Sequence, residues 1–171
     1  MKVLWFLVVA ALAGLALTAC WPEEKAPVCG GVTDKTDHAA PKVIESKEIT
    51  ALNASFWMGD EESHGQRWNL RARRDSSGNT SVSIEGAMQG QFQGEHAVLD
   101  TAQDIIDRFE LVKLNGVDRV TAGLPPWFSP SRLSVEYASG ERLFFHMNGD
   151  PQAGWPKAML DIFLEVFDKN R

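Results

Sequence analysis

The chain has 171 residues, 44% hydrophobic and 23% charged, and its 17 lysines and arginines face 23 aspartates and glutamates for a formal charge of −6. That length suffices for one domain with a real core. The acidic balance opposes nonspecific binding to nucleic acid or to anionic head groups, both of which need a basic footprint.

At the N-terminus, Lys2 precedes an apolar run from Val3 to Leu17, and small residues lead into Leu17-Thr18-Ala19-Cys20. A positive residue, a short apolar stretch and small residues before the end make a secretory signal. An uncleaved span needs about 20 consecutive apolar residues, whereas this run is shorter and Trp21 and Pro22 follow Cys20 at once. The pattern resembles the lipobox of bacterial lipoproteins. That resemblance implies cleavage after residue 19, a thioether-linked diacylglycerol on Cys20, and an exported protein held through its acyl chains at a bacterial membrane, extracytoplasmically. Without Lys2, 16 basic residues against 23 acidic ones leave −7. Cys29, the other cysteine, then has no partner in the chain, which excludes a disulfide framework. It reads as incidental, with a reactive or intermolecular thiol as the sharper alternative.

Residues 20–41 carry three prolines, the Gly30-Gly31 pair and scattered charge without an apolar period, the composition of an extended tether. Residues 42–171 form a single domain.

Within it the period is first two. Leu52, Ala54, Phe56 and Met58 alternate with Ala51, Asn53, Ser55 and Trp57, and Trp68, Leu70 and Ala72 with Arg67, Asn69, Arg71 and Arg73. After the turn formers around Gly78, a third strand pairs Val82 with Ala72 and Ile84 with Leu70, keeping apolar residues on one face. The recurring Gly86, Gly90 and Gly94 with glutamines between them suggest a bent strand or loop.

From Asp100 the period becomes 3.6. With Asp100 as N-cap and Gln103 at N3, Ala102, Ile105, Ile106, Phe109 and Val112 form one stripe, ended by Asn115-Gly116. A hairpin follows. A three-residue loop of Ala138, Ser139 and a left-handed Gly140 sets Val135 opposite Leu143, Leu133 opposite Phe145 and Glu136 opposite Arg142. A second helix begins near Pro156 and buries Met159, Ile162, Phe163, Val166 and Phe167. The order gives an α+β fold, a mostly antiparallel sheet of a three-strand meander plus a hairpin, with two helices on one face.

Asn115-Gly116-Val117-Asp118-Arg119, Thr121-Ala122-Gly123-Leu124-Pro125-Pro126 and Tyr137-Ala138-Ser139-Gly140-Glu141-Arg142 resemble segments of an uncharacterised family of small bacterial lipoproteins, which implies no activity. No nucleophile elbow, zinc spacing or phosphate-binding glycine loop occurs, so neither catalytic residues nor a cofactor is expected. His38, His64, His96 and His146 would serve as bases only if an acid and a nucleophile met them in space. Asp60, Glu61, Glu62 and His64 could offer oxygen ligands to a hard cation but lack calcium-loop spacing, and a solvated turn is the plainer reading.

Two surfaces could take a partner. Arg67, Arg71 and Arg73 share one strand face, with Arg74 beside them, and read either as a strip for an anionic polymer or protein or as a solvated face paired with Glu85 and nearby acids. Trp127 and Phe128 in the proline-rich loop read either as a partner anchor or as a cap on the core. The expected function is a noncatalytic binding module of the cell envelope, meeting the bilayer through Cys20 and an envelope protein or polymer through these surfaces. The alternatives are a small hydrolase of an envelope polymer and an inhibitor of a basic secreted protein.

Overall fold

A computed structural model describes residues 30–59, 65–94, 97–149 and 154–170. Eight strands form one sheet: β1 Val32–Asp34, β2 Ile49–Met58, β3 Gln66–Arg74, β4 Thr80–Glu85, β5 Gln89–Gly94, β6 Asp118–Thr121, β7 Ser131–Tyr137 and β8 Arg142–Met147. Their order is β1-β6-β8-β7-β2-β3-β4-β5. Every neighbouring pair is antiparallel except β6 and β8. The fold is α+β, and its sheet is larger than a three-strand meander plus a hairpin.

The meander and hairpin have the registers their alternation demands. Ala72 faces Val82 and Leu70 faces Ile84; Val135 faces Leu143, Leu133 faces Phe145 and Glu136 faces Arg142. Gly140 has φ 87°, the left-handed geometry that lets a three-residue loop end in a bulge.

Three strands were hidden from local pattern. The segment 30–41, expected within the tether, carries β1, which pairs with β6 through Val32 and Thr121, Thr33 and Val120, and Asp34 and Arg119. β6 has only four residues and joins β8 in parallel. The Gln/Gly segment, expected to bend or loop, is a full edge strand opposite β4.

Both helices cover one face. Helix α1 (Ala97–Arg108) buries Leu99, Ala102, Ile105 and Ile106, and α2 (Trp155–Lys169) buries Trp155, Met159, Leu160 and Phe163. Asp100 lies inside the first turn of α1 rather than at its N-cap, because the helix begins at Ala97. Phe109 and Val112 fall beyond its end: Glu110 turns left-handed at φ 51°, and a 3₁₀ turn, Leu111–Leu114, follows. Pro156 sits in the first turn of α2, where its missing N–H costs nothing. The Trp155 ring is fully buried edge-to-face between Phe56 and Phe145, at centroid distances of 5.4 and 5.5 Å. This packs the helix pair against the middle of the sheet. Among the described residues the other sheet face carries no helix.

Candidate functional site

Strand alternation decides what the helix-free face carries. On β3, and on β2 from Ala51 onward, past the bulge that follows Ile49, the odd-numbered residues point away from the helices, and pairing with the flanking strands extends them into three rows. The first reads Asp118, His146, Arg132, Ser55, Asn69, Glu85, Gln89. The second reads Phe144, Ser134, Asn53, Arg71, Ser83, Gln91, and the third Arg142, Glu136, Ala51, Arg73, Ser81, Gln93. A solvated face is ordinary for an antiparallel sheet. Asparagine in the middle of a strand is not, since strands are depleted in it, yet Asn53 and Asn69 occupy the adjacent inner strands β2 and β3.

Short Asn and Ser side chains between long arginines leave hollows. One of about 520 Å³ is lined by Asn53, Ser55, Arg67, Arg71, Arg132 and His146, among others. A second lies between Arg71, Arg73 and Glu136, and a third between Arg71, Glu85 and Gln91. Arg71 borders all three.

Arg67, Arg71 and Arg73 are exposed, and among the described residues none of them makes an ion pair. The pairing with Glu85 expected of a merely solvated face is not formed; Glu85 instead accepts a 3.5 Å hydrogen bond from Asn69. Arg67 donates from Nε to Ser55 Oγ at 3.1 Å and from Nη2 to the Pro130 carbonyl at 3.0 Å. Arg74, one residue out of phase, leaves the strip: it pairs with Glu48 at 2.8 Å and reaches Asp100 of α1 at 3.9 Å.

Pairing distant in sequence adds Arg132, which local reading missed, and an acid beside His146. Arg132 of β7 lies opposite Ser55 and holds its guanidinium 5.3 Å from the Phe144 ring centroid. His146 Nδ1 lies 3.1 Å from Asp118 Oδ1, an acid brought to the histidine by the parallel β6–β8 pair. Alternation along the strand places His146 on the less buried face, and the outward period of β7 carried the same signal for Arg132, whereas no local pattern pointed to Asp118.

The aromatic loop lies elsewhere. Pro126–Phe128 form a 3₁₀ turn; Phe128 is exposed and Trp127 half-buried, so Phe128 does not cap the core. Cys20, Cys29, Asp60, Glu61, Glu62, His64 and His96 lie outside the described residues. Among the described residues no cluster of metal-binding side chains occurs, and no helix there is long and apolar enough to cross a membrane. Comparison of the chain with protein-family models, curated proteins and solved structures finds no match.

Proposed function

We propose that this protein is a noncatalytic binding module of the bacterial envelope, anchored through an acylated Cys20, whose helix-free sheet face takes up an anionic polymer. The anchor is supported by the apolar run ending in Leu17-Thr18-Ala19-Cys20. Two or three acyl chains hold a protein stably where one does not, so ligands come to the domain.

The observation that carries the binding reading is a set of arginines without carboxylate partners on an acidic protein. An exposed arginine lacking an acid is ordinary alone; Arg67, Arg71 and Arg73 in one strand, with Arg132 two strands away, put on one face four guanidiniums that make no ion pair among the described residues. Between them the amides and hydroxyls of Asn53, Ser83 and Ser134 make no side-chain hydrogen bond among the described residues, so they are open to a polar chain laid across the strands. The hydrolase alternative draws on the Asp118–His146 pair. Ser134, diagonal to His146, makes no hydrogen bond to it, so the pair lacks a nucleophile in place.

The test is capture of anionic envelope polymers by the wild-type chain and by the Arg67→Gln/Arg71→Gln/Arg73→Gln variant. The variant should lose most of the capture, and added salt should mimic that loss by screening. Unchanged, salt-insensitive capture removes the face and leaves Phe128 as the better surface. Capture of a basic secreted protein instead of a polymer would transfer the case to the inhibitor reading.

A further inference from the structure

The three hollows on the polar face differ in one respect. Glu136 borders the second and Glu85 the third, while among the described residues the first is lined by no carboxylate: its polar groups there are the amides of Asn53 and Asn69, the hydroxyls of Ser55 and Ser134, three arginines and His146. A wall of donors without an acid suits an anion.

Two of its cations are fixed without an acid among the described residues. Arg67 is held by a hydroxyl and a backbone carbonyl, both uncharged. Arg132 is held against the Phe144 ring. Both guanidiniums therefore keep N–H groups to spare, and a ligand meets side chains already ordered, which lowers the entropic cost of binding. His146 is oriented by Asp118 through Nδ1, leaving Nε2 without a partner among the described residues while the ring borders the hollow beside Arg132 of β7, with Arg67 and Arg71 of β3 in the same lining. A protonated imidazole donates from both ring nitrogens, so that edge can serve as a further donor.

Resting on the reading of this face as a binding surface, we propose that the hollow bordered by Arg67, Arg71, Arg132 and His146 is a site for a tetrahedral oxyanion, the phosphate or sulfate ester group of the ligand. A planar carboxylate is satisfied by one guanidinium fork. Donors arriving from β3, β7 and β8 match a group that presents three oxygens in three directions. The volume exceeds one such group and admits the part of the molecule that bears it.

Sulfate is the clean probe, because its charge is constant near neutral pH. Titration calorimetry of the detergent-solubilised full chain at pH 7 should give sulfate binding at least tenfold tighter than acetate binding. His146→Gln should weaken sulfate binding several-fold. Arg71→Gln should weaken sulfate binding about tenfold, and Arg71→Lys should restore it only in part. Unfolding of each variant is followed alongside, so that loss of fold is not read as loss of site. Displacement of sulfate by glycerol 3-phosphate or by glucose 6-sulfate tells which ester the site prefers; displacement by neither overturns the ester reading. Sulfate bound no tighter than acetate also overturns the proposal. If sulfate fails while the triple arginine variant still loses polymer capture, the polar face keeps its role and only the oxyanion site falls.

Discussion

Asn115 is one of the few buried polar residues and holds three segments at once. Its Nδ2 donates to the carbonyls of Pro41 at 2.9 Å and Arg142 at 3.2 Å, and its Oδ1 accepts from the Phe144 N–H at 2.8 Å. Lys42 Nζ donates to its backbone carbonyl. Removing the amide strands buried polar groups, which costs about 1–3 kcal/mol per group. Asn115→Ala should therefore lower the unfolding free energy by about 2–4 kcal/mol in urea titration, near the upper range for one substitution. Glu141 makes a second clasp. Hydrogen bonds from the Ser139 hydroxyl and from the backbone N–H groups of Glu45 and Ser46 hold its carboxyl below the ordinary glutamate value of 4.5. Asp75, through the Asn79 N–H, and Asp34, through Thr36, are lowered likewise. A carboxyl lowered on folding contributes stability that is complete above its ordinary value and is lost as pH falls through the lowered one. The urea midpoint should be level from pH 7 to about 5 and fall in more acid solution, with a shallower fall in Glu141→Gln.

At the scale of elements, what the sequence discloses follows the range of the pairing. β2, β3 and β4 and the β7–β8 hairpin alternate strictly and are joined by turns whose residues set the register, so Leu70 and Ile84 could be paired from local pattern. β1 and β6 have three and four residues and no apolar face, and only their neighbours define them. β5 hides its strand character because Gly90 fills the inward position against Phe167, where any larger side chain would meet the ring. The site divides in the same way. Arg67, Arg71 and Arg73 share a face by period alone, whereas Arg132 and His146 join them through pairings of β7 with β2 and of β8 with β7. Because residues 30–41 belong to the sheet edge, a chain shortened to start at Lys42 should not match the stability expected of a whole domain. It loses β1 and the Asp37 N–H bond to the Gly116 carbonyl, and its urea midpoint should fall clearly below that of a chain starting at Gly30. Equal midpoints would return that segment to the tether.

The whole molecule is strongly one-sided. Among the described residues the hydrophobic core lies between the helices and one sheet face, so the opposite face can change without disturbing it. The triple Arg→Gln variant should keep its thermal midpoint within a few degrees, since exposed charges contribute about 0–1 kcal/mol each, these three make no ion pair among the described residues, and Arg67 gives up only two exposed hydrogen bonds. Trp155→Ala touches no residue of the polar face, yet it should cost about 3–5 kcal/mol by emptying the space between Phe56 and Phe145. Calorimetric unfolding of the two variants checks the contrast.

The position of β1 has a mechanical consequence. On the anchored reading, any drag on the domain reaches it through Gly30, and the load falls first on a three-residue strand at the outermost edge. Next in line are the Lys35 and Asp37 N–H bonds to Asp118 and Gly116, and then the Asn115 clasp on Pro41. These give way one after another, as a zipper does, at low force. Peeling the fifteen residues from Gly30 to Ile44 would pay out a contour of roughly 50 Å before tension reaches β2. Pulling a single molecule from its N-terminus should therefore show a small, reversible early extension ahead of the main rupture. Asn115→Ala should move that extension to lower force and leave the rupture of the sheet centre in place. The edge strand would act as a mechanical fuse, lengthening the leash while the ligand-bearing face stays intact.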